Sequence, residues 1–574
     1  MIKIKRRVIP EVNNLESLGF SSLVQRLYLS RGIEDFVQID HKLKHLHTAK
    51  KLSNIKLAAA IVIEALQQQS KIVIVGDFDA DGATATALAI RAIKAFGHDN
   101  IGFLVPNRFD FGYGLSPELI PILQDMQAQL IITVDNGISS IDGTQAAKDA
   151  GIGVIITDHH LAAEQLPNAD AIVNPNIAGD TFESKHLAGV GVVFYLLAEI
   201  RSQLSASSWF VDRQMTPPNL AQWLDIVALG TVADMVSLDT NNRIFVHEGI
   251  RRIKAGRTVA GIKALLKIAN KELHKVNTES FGFVIAPRLN AAGRLEDMSV
   301  GIELLITDDE NKAFRLAQEL DSINQQRKEI QQEMQSVADS VINELDKIKK
   351  LPDGICLFHK DWHQGVVGLL ASKVKEKTNR PVIAFAPENE QSTVLKGSAR
   401  SIKGFHIRDA LVEIETKHPQ LMQKFGGHAM AAGLSLEGEN YPQFRQIFDE
   451  LVSKALTTEQ RQHVVETDGE LDSIELCLAV AEELQNHGPW GQNFPAPLFD
   501  GWFNIMDKKE VGTGHTKLTL QTQDFSKRIE AIAFGIEPNQ FKIEGQKNQI
   551  TYRLDINEFR GRRTLQLIVQ DIVN

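Results

Sequence analysis

Residues 72–82 of this 574-residue chain, I-V-I-V-G-D-F-D-A-D-G, constrain its fold more than any other stretch. Ile72–Val75 is a short, β-branched apolar run with the length of a strand buried on both faces. Such strands belong to parallel sheets covered by helices, which sets an α/β class. The run stops at Gly76 and three alternating carboxylates follow, Asp77, Asp79 and Asp81. Alternate residues of an extended chain point the same way, so the three are expected to converge. Converging carboxylates repel unless positive charge lies among them, and a hard divalent cation is the simplest source. A calcium loop of the EF-hand type also opens D-x-D-x-D-G, but it needs Glu at its twelfth position, here Leu88, and a helix in front rather than a strand. Gly82 opens a helix-like run, Ala83 to Phe96, closed by Gly97.

The same alternation of strand and helix continues to about residue 250. Helical spacing at Leu52, Ile55, Ala59, Ile63 and Leu66 leads into the first strand. Further strands are predicted at Ile101–Val105, Leu130–Val134, Val154–Ile156 and Ala171–Val173. Sites in such sheets lie just past the carboxyl ends of the strands. There the chain places Asn107 and Arg108, then D-N-G (Asp135, Asn136, Gly137), D-H-H (Asp158, His159, His160) and N-P-N (Asn174 to Asn176). A later helical run leads into G-T-V-A-D-M and Asp234. Each has a bland reading alone. D-N-G is a common turn, Asp158 suits the cap of a following helix, and a lone His is most often a satisfied surface or core residue. The set is harder to explain so: Asp77, Asp79, Asp81, Asp135, His159 and Asp234 suit a pair of Mn²⁺ or Mg²⁺ ions. A shared carboxylate is required if the ions lie about 3.5–4 Å apart, and Asp135 is expected to be that bridge. His160, outside the ligand set, is the expected proton donor or charge stabiliser.

These motifs, G-D-F-D-A-D-G, V-P-N-R, V-D-N-G, T-D-H-H, N-P-N and L-G-T-V-A-D-M in this order, resemble the DHH phosphoesterase superfamily. Within it the chain is similar to bacterial exonucleases specific for single-stranded DNA, through A-P-R-L-N-A-A-G-R at 286–294 and on to the C-terminus. The resemblance implies a two-metal exonuclease that removes mononucleotides 5′→3′ in recombination and DNA repair, with Asp81, Asp135 and His160 in the chemistry. It implies that substrate is gripped by Asn107, Arg108, Asn136, Arg288, Arg294, Ser398, Arg400 and His428. It also implies a cytoplasmic monomer that works on single-stranded DNA beside a helicase and a single-stranded-DNA-binding protein.

The implied architecture is a helical leader (1–48), a parallel-sheet DHH domain (49–260), a connecting segment with a long helix (261–352), a smaller α/β DHHA1 domain (353–458) and a C-terminal β-barrel, an OB-fold (459–574). Residues 307–350 read as one helix of about 60 Å, with Thr307 and Glu310 as a capping box and Pro352 beyond its end. In the DHHA1 segment, W-H-Q-G-V-V-G (Trp362–Gly368), G-S-A-R (Gly397–Arg400) and F-G-G-H (Phe425–His428) offer free N–H groups, close backbone approach and a bidentate Arg to a phosphate; tight helix–sheet packing would use the same glycines. After the Pro/Gly-rich stretch 487–497, five short strands fit an OB-fold. Trp490, Phe494, Trp502 and Phe503 are possible base platforms, and Lys508, Lys509, Lys517, Lys527, Arg528, Arg560, Arg562 and Arg563 make the region locally basic.

Composition narrows the partners. The formal charge is −10, so nucleic acid must be held by local basic grooves and metal ions rather than by the surface as a whole. Two distant cysteines in apolar surroundings fit a reducing compartment, and the basic amino terminus lacks the apolar run of a signal peptide. Two alternatives stay open at this point. One is a phosphodiesterase for short oligonucleotides or cyclic dinucleotides, or a pyrophosphatase; the other is a non-enzymatic scaffold.

Overall fold

The computed structural model describes residues 2–11, 14–106, 114–347, 351–365, 367–389, 391–457, 460, 463–512, 514–542 and 546–573. It divides into two compact units, one of Val12–Gln325 with Gly488–Ala496, the other of Met1–Glu11, Gln326–His487 and Pro497–Asn574. Asn107 and Arg108 lie outside the described residues. In chain order the strands begin with β1 (Ile2–Arg6) and the group β2 (Ile72–Gly76), β3 (Ile101–Leu104), β4 (Leu130–Val134), β5 (Gly153–Thr157) and β6 (Ala171–Val173). A second group is β7 (Ile355–Phe358), β8 (Val382–Pro387), β9 (Val394–Arg400), β10 (Lys424–Gly427), β11 (Ala431–Glu437) and β12 (His463–Thr467). The last is β13 (Phe499–Val511), β14 (His515–Thr522), β15 (Arg528–Ala533), β16 (Lys547–Phe559) and β17 (Arg562–Val573).

The unit of residues 12–325 is built on a five-stranded parallel sheet in the order β3-β2-β4-β5-β6. Alternate residues of its strands go to opposite faces, and both faces are apolar. Ile72, Ile74, Ile132, Val134 and Ile155 join a core with the Ile55–Gln67, Ala80–Ala95, Gly189–Ala206 and Leu224–Ala233 helices. Val73, Val75, Ile131, Val154 and Ile156 join the other, with Leu119, Leu123 and Ala147. This is why the strands read as continuous β-branched runs rather than as alternating ones. From β2 the chain turns to β3 on one side, and from β4 to β5 on the other. The sheet order therefore reverses between β2 and β4, where an open α/β sheet leaves a crevice.

The predicted helix after β2 starts earlier than expected, at Ala80, because Asp79 caps it: its carboxylate accepts from the N–H groups of Asp81 (2.9 Å) and Gly82 (3.0 Å). Asp81 thus meets Asp77 and Asp79 from the first helical turn, not from extended chain. The long helix runs Glu310–Lys347, 38 residues, about 57 Å at 1.5 Å per residue. Its cap is Asp309, which accepts from Asn311 and Lys312, while Thr307 accepts from the N–H of Asp309 instead.

In the other unit, β10-β11-β9-β8-β7 form a mixed sheet, and β13-β14-β15-β17-β16 close a barrel. The amino terminus is no helical leader throughout: β1 pairs in parallel with β12, Ile2 opposite His463 and Arg6 opposite Thr467. Arg6 also donates to Asp500 of the barrel at 2.7 Å. The stretch read as a linker is packed. Trp490 and Phe494 stack at 5.2 Å between centroids, beside Tyr28, in a core with Leu15, Val24 and Leu238 of the residue 12–325 unit. Phe503 is buried in the barrel, which leaves Trp502, 39 % exposed, as the one open ring of the four expected platforms. At least five of the eight expected barrel cations are engaged within their own unit: Lys508 and Lys527 donate to backbone carbonyls, Lys517 pairs with Glu530, Arg563 with Glu482, and Arg560 lies over the Phe559 ring.

Candidate metal centre and active site

The register of the parallel sheet sets the geometry. Gly76 of β2 lies opposite Val134 of β4, and Val134 opposite Thr157 of β5. Asp77, Asp135 and Asp158 each come one residue later, so three neighbouring strands deliver a carboxylate at one level. Asp135 sits in the left-handed region, φ 62°, and its N–H donates to the Thr157 carbonyl, so the chain turns sharply over the sheet edge.

Around that point the potential ligand atoms gather in groups, each with all its members within 4.8 Å of one another: Asp77, Asp79 and Asp135; Asp81, His159 and Asp234; and Asp135, His159 and His160. His159 Nε2 lies 3.1 Å from Asp135 Oδ1 and 3.4 Å from Asp234 Oδ2. Asp135 belongs to the first and third groups and touches His159, which belongs to the second and third, so Asp135 stands at the junction where a bridging ligand would lie. All six residues expected as ligands meet here.

Burial makes the cluster electrostatically costly. Asp81 is fully buried and its carboxyl is pushed up to about 7 by desolvation, then by the nearby charge of Asp79, although it accepts from Gly189 N–H at 2.6 Å and Val190 N–H at 3.1 Å. Asp135 and Asp234 are likewise held well above the usual carboxylate range, first by desolvation and then by Asp81 and the other acids. His159 moves the opposite way, to about 4, because burial and the neighbouring His160 disfavour its charge, so its imidazole is neutral and fit to ligate. Packed acids that resist ionising, together with a neutral imidazole, are what a hard-to-borderline divalent pair would relieve. The donor set fits Mn²⁺ or Mg²⁺.

The second histidine is arranged for another task. Its Nδ1–H donates to Asp158 Oδ1 at 2.7 Å. Asp158 caps no helix. It is buried, and also accepts from the N–H groups of His159 (2.7 Å), His160 (3.0 Å) and Ile138 (2.9 Å). These bonds keep Asp158 ionised despite burial. In return, burial lowers the His160 pKa, but Asp158, aided by the charges of Asp77 and Asp79, raises it above the ordinary value. The pair fixes the tautomer and leaves Nε2 as the nitrogen that exchanges a proton.

Several residues that the sequence reading passed over build the walls. Gly189 begins the Gly189–Ala206 helix, and a Cβ there would lie 2.5 Å from the Cβ of Asp135. A Cβ on Gly230 would lie 2.6 Å from Asp81 Oδ1. Asn290 accepts from Ala80 N–H at 2.8 Å, and a Cβ on Gly293 would lie 1.7 Å from the Phe78 carbonyl. The A-P-R-L-N-A-A-G-R segment thus clamps the Asp77–Asp81 loop. Its sequence signal was the pair of small residues at 292–293; the partner is visible only in three dimensions.

The expected substrate residues divide. Asn136 is fully buried and gives its amide hydrogens to the Val75 and Val134 carbonyls, so it ties β2 to β4 rather than presenting donors to a ligand. Arg288 is buried too, and its guanidinium is held by Asp321 (2.8 and 2.9 Å) and the Val284 carbonyl. Arg294 is half-buried at the end of the Ala286–Leu295 helix. In the other unit, Arg400 donates to Ser398 Oγ at 3.0 Å, and both stand over the start of the Val367–Thr378 helix: a Cβ on Gly368 would lie 2.8 Å from Arg400 Nη2 and 2.9 Å from Ser398 Oγ. Burial lowers the pKa of Arg400, and the helix start and the guanidinium together favour an anion. His428 lies between β10 and β11, its N–H bonded to the Ala431 carbonyl.

The DHH family, N-terminal domain, matches residues 71–231, the DHHA1 domain residues 350–454, and the RecJ OB domain residues 467–571. Over 572 residues, 99 % of each chain, the sequence is 49 % identical to the single-stranded-DNA-specific exonuclease RecJ of Salmonella typhimurium. It is 32 % identical to RecJ of Bacillus subtilis, over 97 % of this chain and 68 % of that one. The fold matches the crystal structure of RecJ in complex with Mn²⁺ from Thermus thermophilus, with a TM-score of 0.83 at 26 % identity, over 100 % of this chain and 80 % of that one.

Proposed function

The chain belongs to the RecJ family of single-stranded-DNA-specific exonucleases, and on that premise we propose that it hydrolyses single-stranded DNA 5′→3′ to mononucleotides, in recombination and repair. The observation that carries this is the convergence of Asp77, Asp79, Asp81, Asp135, Asp234 and His159 at the carboxyl edge of the sheet. These six would hold two divalent cations, Mn²⁺ or Mg²⁺, with Asp135 as the ligand common to both. Such ions supply the charge that draws electrons from a phosphate's non-bridging oxygens and makes a water acidic enough to attack near neutral pH.

The protein's own groups do the rest. Asp158 orients His160, and the His160 imidazolium gives its proton to the leaving oxygen or stabilises charge on the phosphorus oxygens. Gly189 and Val190 hold the Asp81 carboxylate in place through their N–H groups. Ser398, Arg400 and the start of the helix at Val367 bind a phosphate of the strand, with His428 brought near by its bond to Ala431, the strand partner of Arg400. Arg108 and Asn107 are proposed substrate contacts on the family resemblance. The barrel, matched by the RecJ OB domain, adds a grip on single-stranded DNA. By the same resemblance the enzyme is a cytoplasmic monomer that follows a helicase and meets strands coated by a single-stranded-DNA-binding protein. No described helix is long and apolar enough to cross a membrane.

Digestion of end-labelled single- and double-stranded DNA, with label at either end and with Mn²⁺, Mg²⁺ or chelator, tests the proposal. Metal-dependent release from the 5′ end of single strands alone is the expected result. Release from duplex, from the 3′ end, or in the presence of chelator would overturn it.

A further inference from the structure

Large apolar side chains are exposed beside the acidic cluster. Leu161 follows His160 and is 73 % exposed; Met235 follows Asp234 and is 69 % exposed; Phe283 is 79 % exposed. Met235 is the most informative. It stands just past the end of the Leu224–Ala233 helix with φ 57°, the left-handed conformation. That position ordinarily belongs to Gly, because a Cβ crowds the backbone there. The Met235 side chain contributes little to a core in return. Neither backbone preference nor packing accounts for a methionine at this point.

Phe283 is as little used by the fold. It lies in a π-helical stretch, Ser280–Ile285, a rare conformation that is frequent at functional sites. A Cβ on its neighbour Gly282 would lie 3.8 Å from Val232 Cγ1, on the helix that delivers Asp234. The helix that follows it, Ala286–Leu295, grips the Asp77–Asp81 loop through Asn290 and Gly293. Phe283 and Met235 are thus carried by the two elements that frame the cluster.

We propose that Met235 and Phe283 form an apolar step against which the base of the terminal nucleotide rests while its phosphodiester is cut. A thioether and a ring accept the flat face of any base, and such stacking does not distinguish one base from another. That suits an enzyme that must remove every nucleotide it meets. The inference rests on the exonuclease reading above.

The test uses single strands whose 5′-terminal residue is either an ordinary nucleotide or an abasic tetrahydrofuran unit. Single-turnover release with Mn²⁺ is followed for the full-length wild type, Met235→Gly, Phe283→Ala and the double variant. Met235→Gly suits the left-handed backbone and Phe283 is exposed, so the variants keep the fold; the Mn²⁺-induced rise in melting temperature checks this. Wild type should cut the base-bearing end about 10-fold faster than the abasic end, a preference of the size that one stacked base supplies. That ratio should fall toward unity in the double variant. Equal wild-type rates, or an undiminished ratio in both single variants and the double, overturns the proposal. A wild type that releases nothing from any strand overturns the exonuclease reading and this one with it.

Discussion

At the scale of single residues, the centre is a balance between burial and charge. Without cations, Asp81 is held near 7 while its unfolded value is that of an ordinary carboxyl, so the folded state binds more protons over that interval. Linkage then gives stability that falls as pH rises from about 4 to 7. Chelator-treated protein should accordingly melt at lower temperature at pH 8 than at pH 5, and Mn²⁺ should abolish the difference; a flat profile in chelator would contradict it. The Asp158–His160 pair gives a second expectation. Asp158→Asn removes the charge that raises the His160 pKa, so the alkaline limb of the rate profile should move to lower pH, with turnover down about 10²–10⁴-fold, the range for a positioned acid. Unchanged Mn²⁺ affinity would separate this from damage to the ligands. The carboxylates were legible because like charges spaced every second residue after a buried strand have no cheap structural explanation. Asn136 is less legible for the opposite reason. A polar residue past a strand end looks the same in sequence whether it faces a ligand or spans two strands, and only the Val75 and Val134 carbonyls decide.

At the scale of elements, period and composition carried the parallel sheet almost to the residue, since a strand covered on both faces has no alternation to lose. Ends were less legible, because the cap that ends a helix is chosen by competition: Asp79 starts its helix ahead of Gly82, and Asp309 displaces Thr307. The aromatic residues near the barrel show where local reading fails altogether. Trp490 and Trp502 lie 12 positions apart in chemically similar surroundings, yet one is stacked on Phe494 and the other is open. Trp490→Ala should cost about 3 kcal/mol of stability, the low end of the range for aromatic truncations, because the ring is partly buried against the core that holds Phe494. Trp502→Ala should leave melting unchanged and weaken binding of long single strands by about 1–3 kcal/mol. Thermal melts and fluorescence anisotropy read the two apart; a reversed pattern would mean that the barrel grips DNA through another face.

At the scale of the whole molecule, two units each carry a core, and the chain changes unit after Glu11, within the Glu310–Lys347 helix, and on either side of residues 488–496. Only the unit of residues 12–325 contains the acidic cluster, so divalent ions should protect its amides from hydrogen exchange and leave those of the barrel unaffected. The amino-terminal strand escaped the sequence reading because its partner is some 460 positions away and its five residues, mostly basic, read as nothing by themselves. Deleting residues 1–7 should loosen the β12 and barrel amides, measured by exchange, before it disturbs the parallel sheet. That pairing reverses the order of manufacture. Ile2 leaves the ribosome some 460 residues before His463, so this strand waits for a partner made much later, and until then it travels as an unclaimed edge.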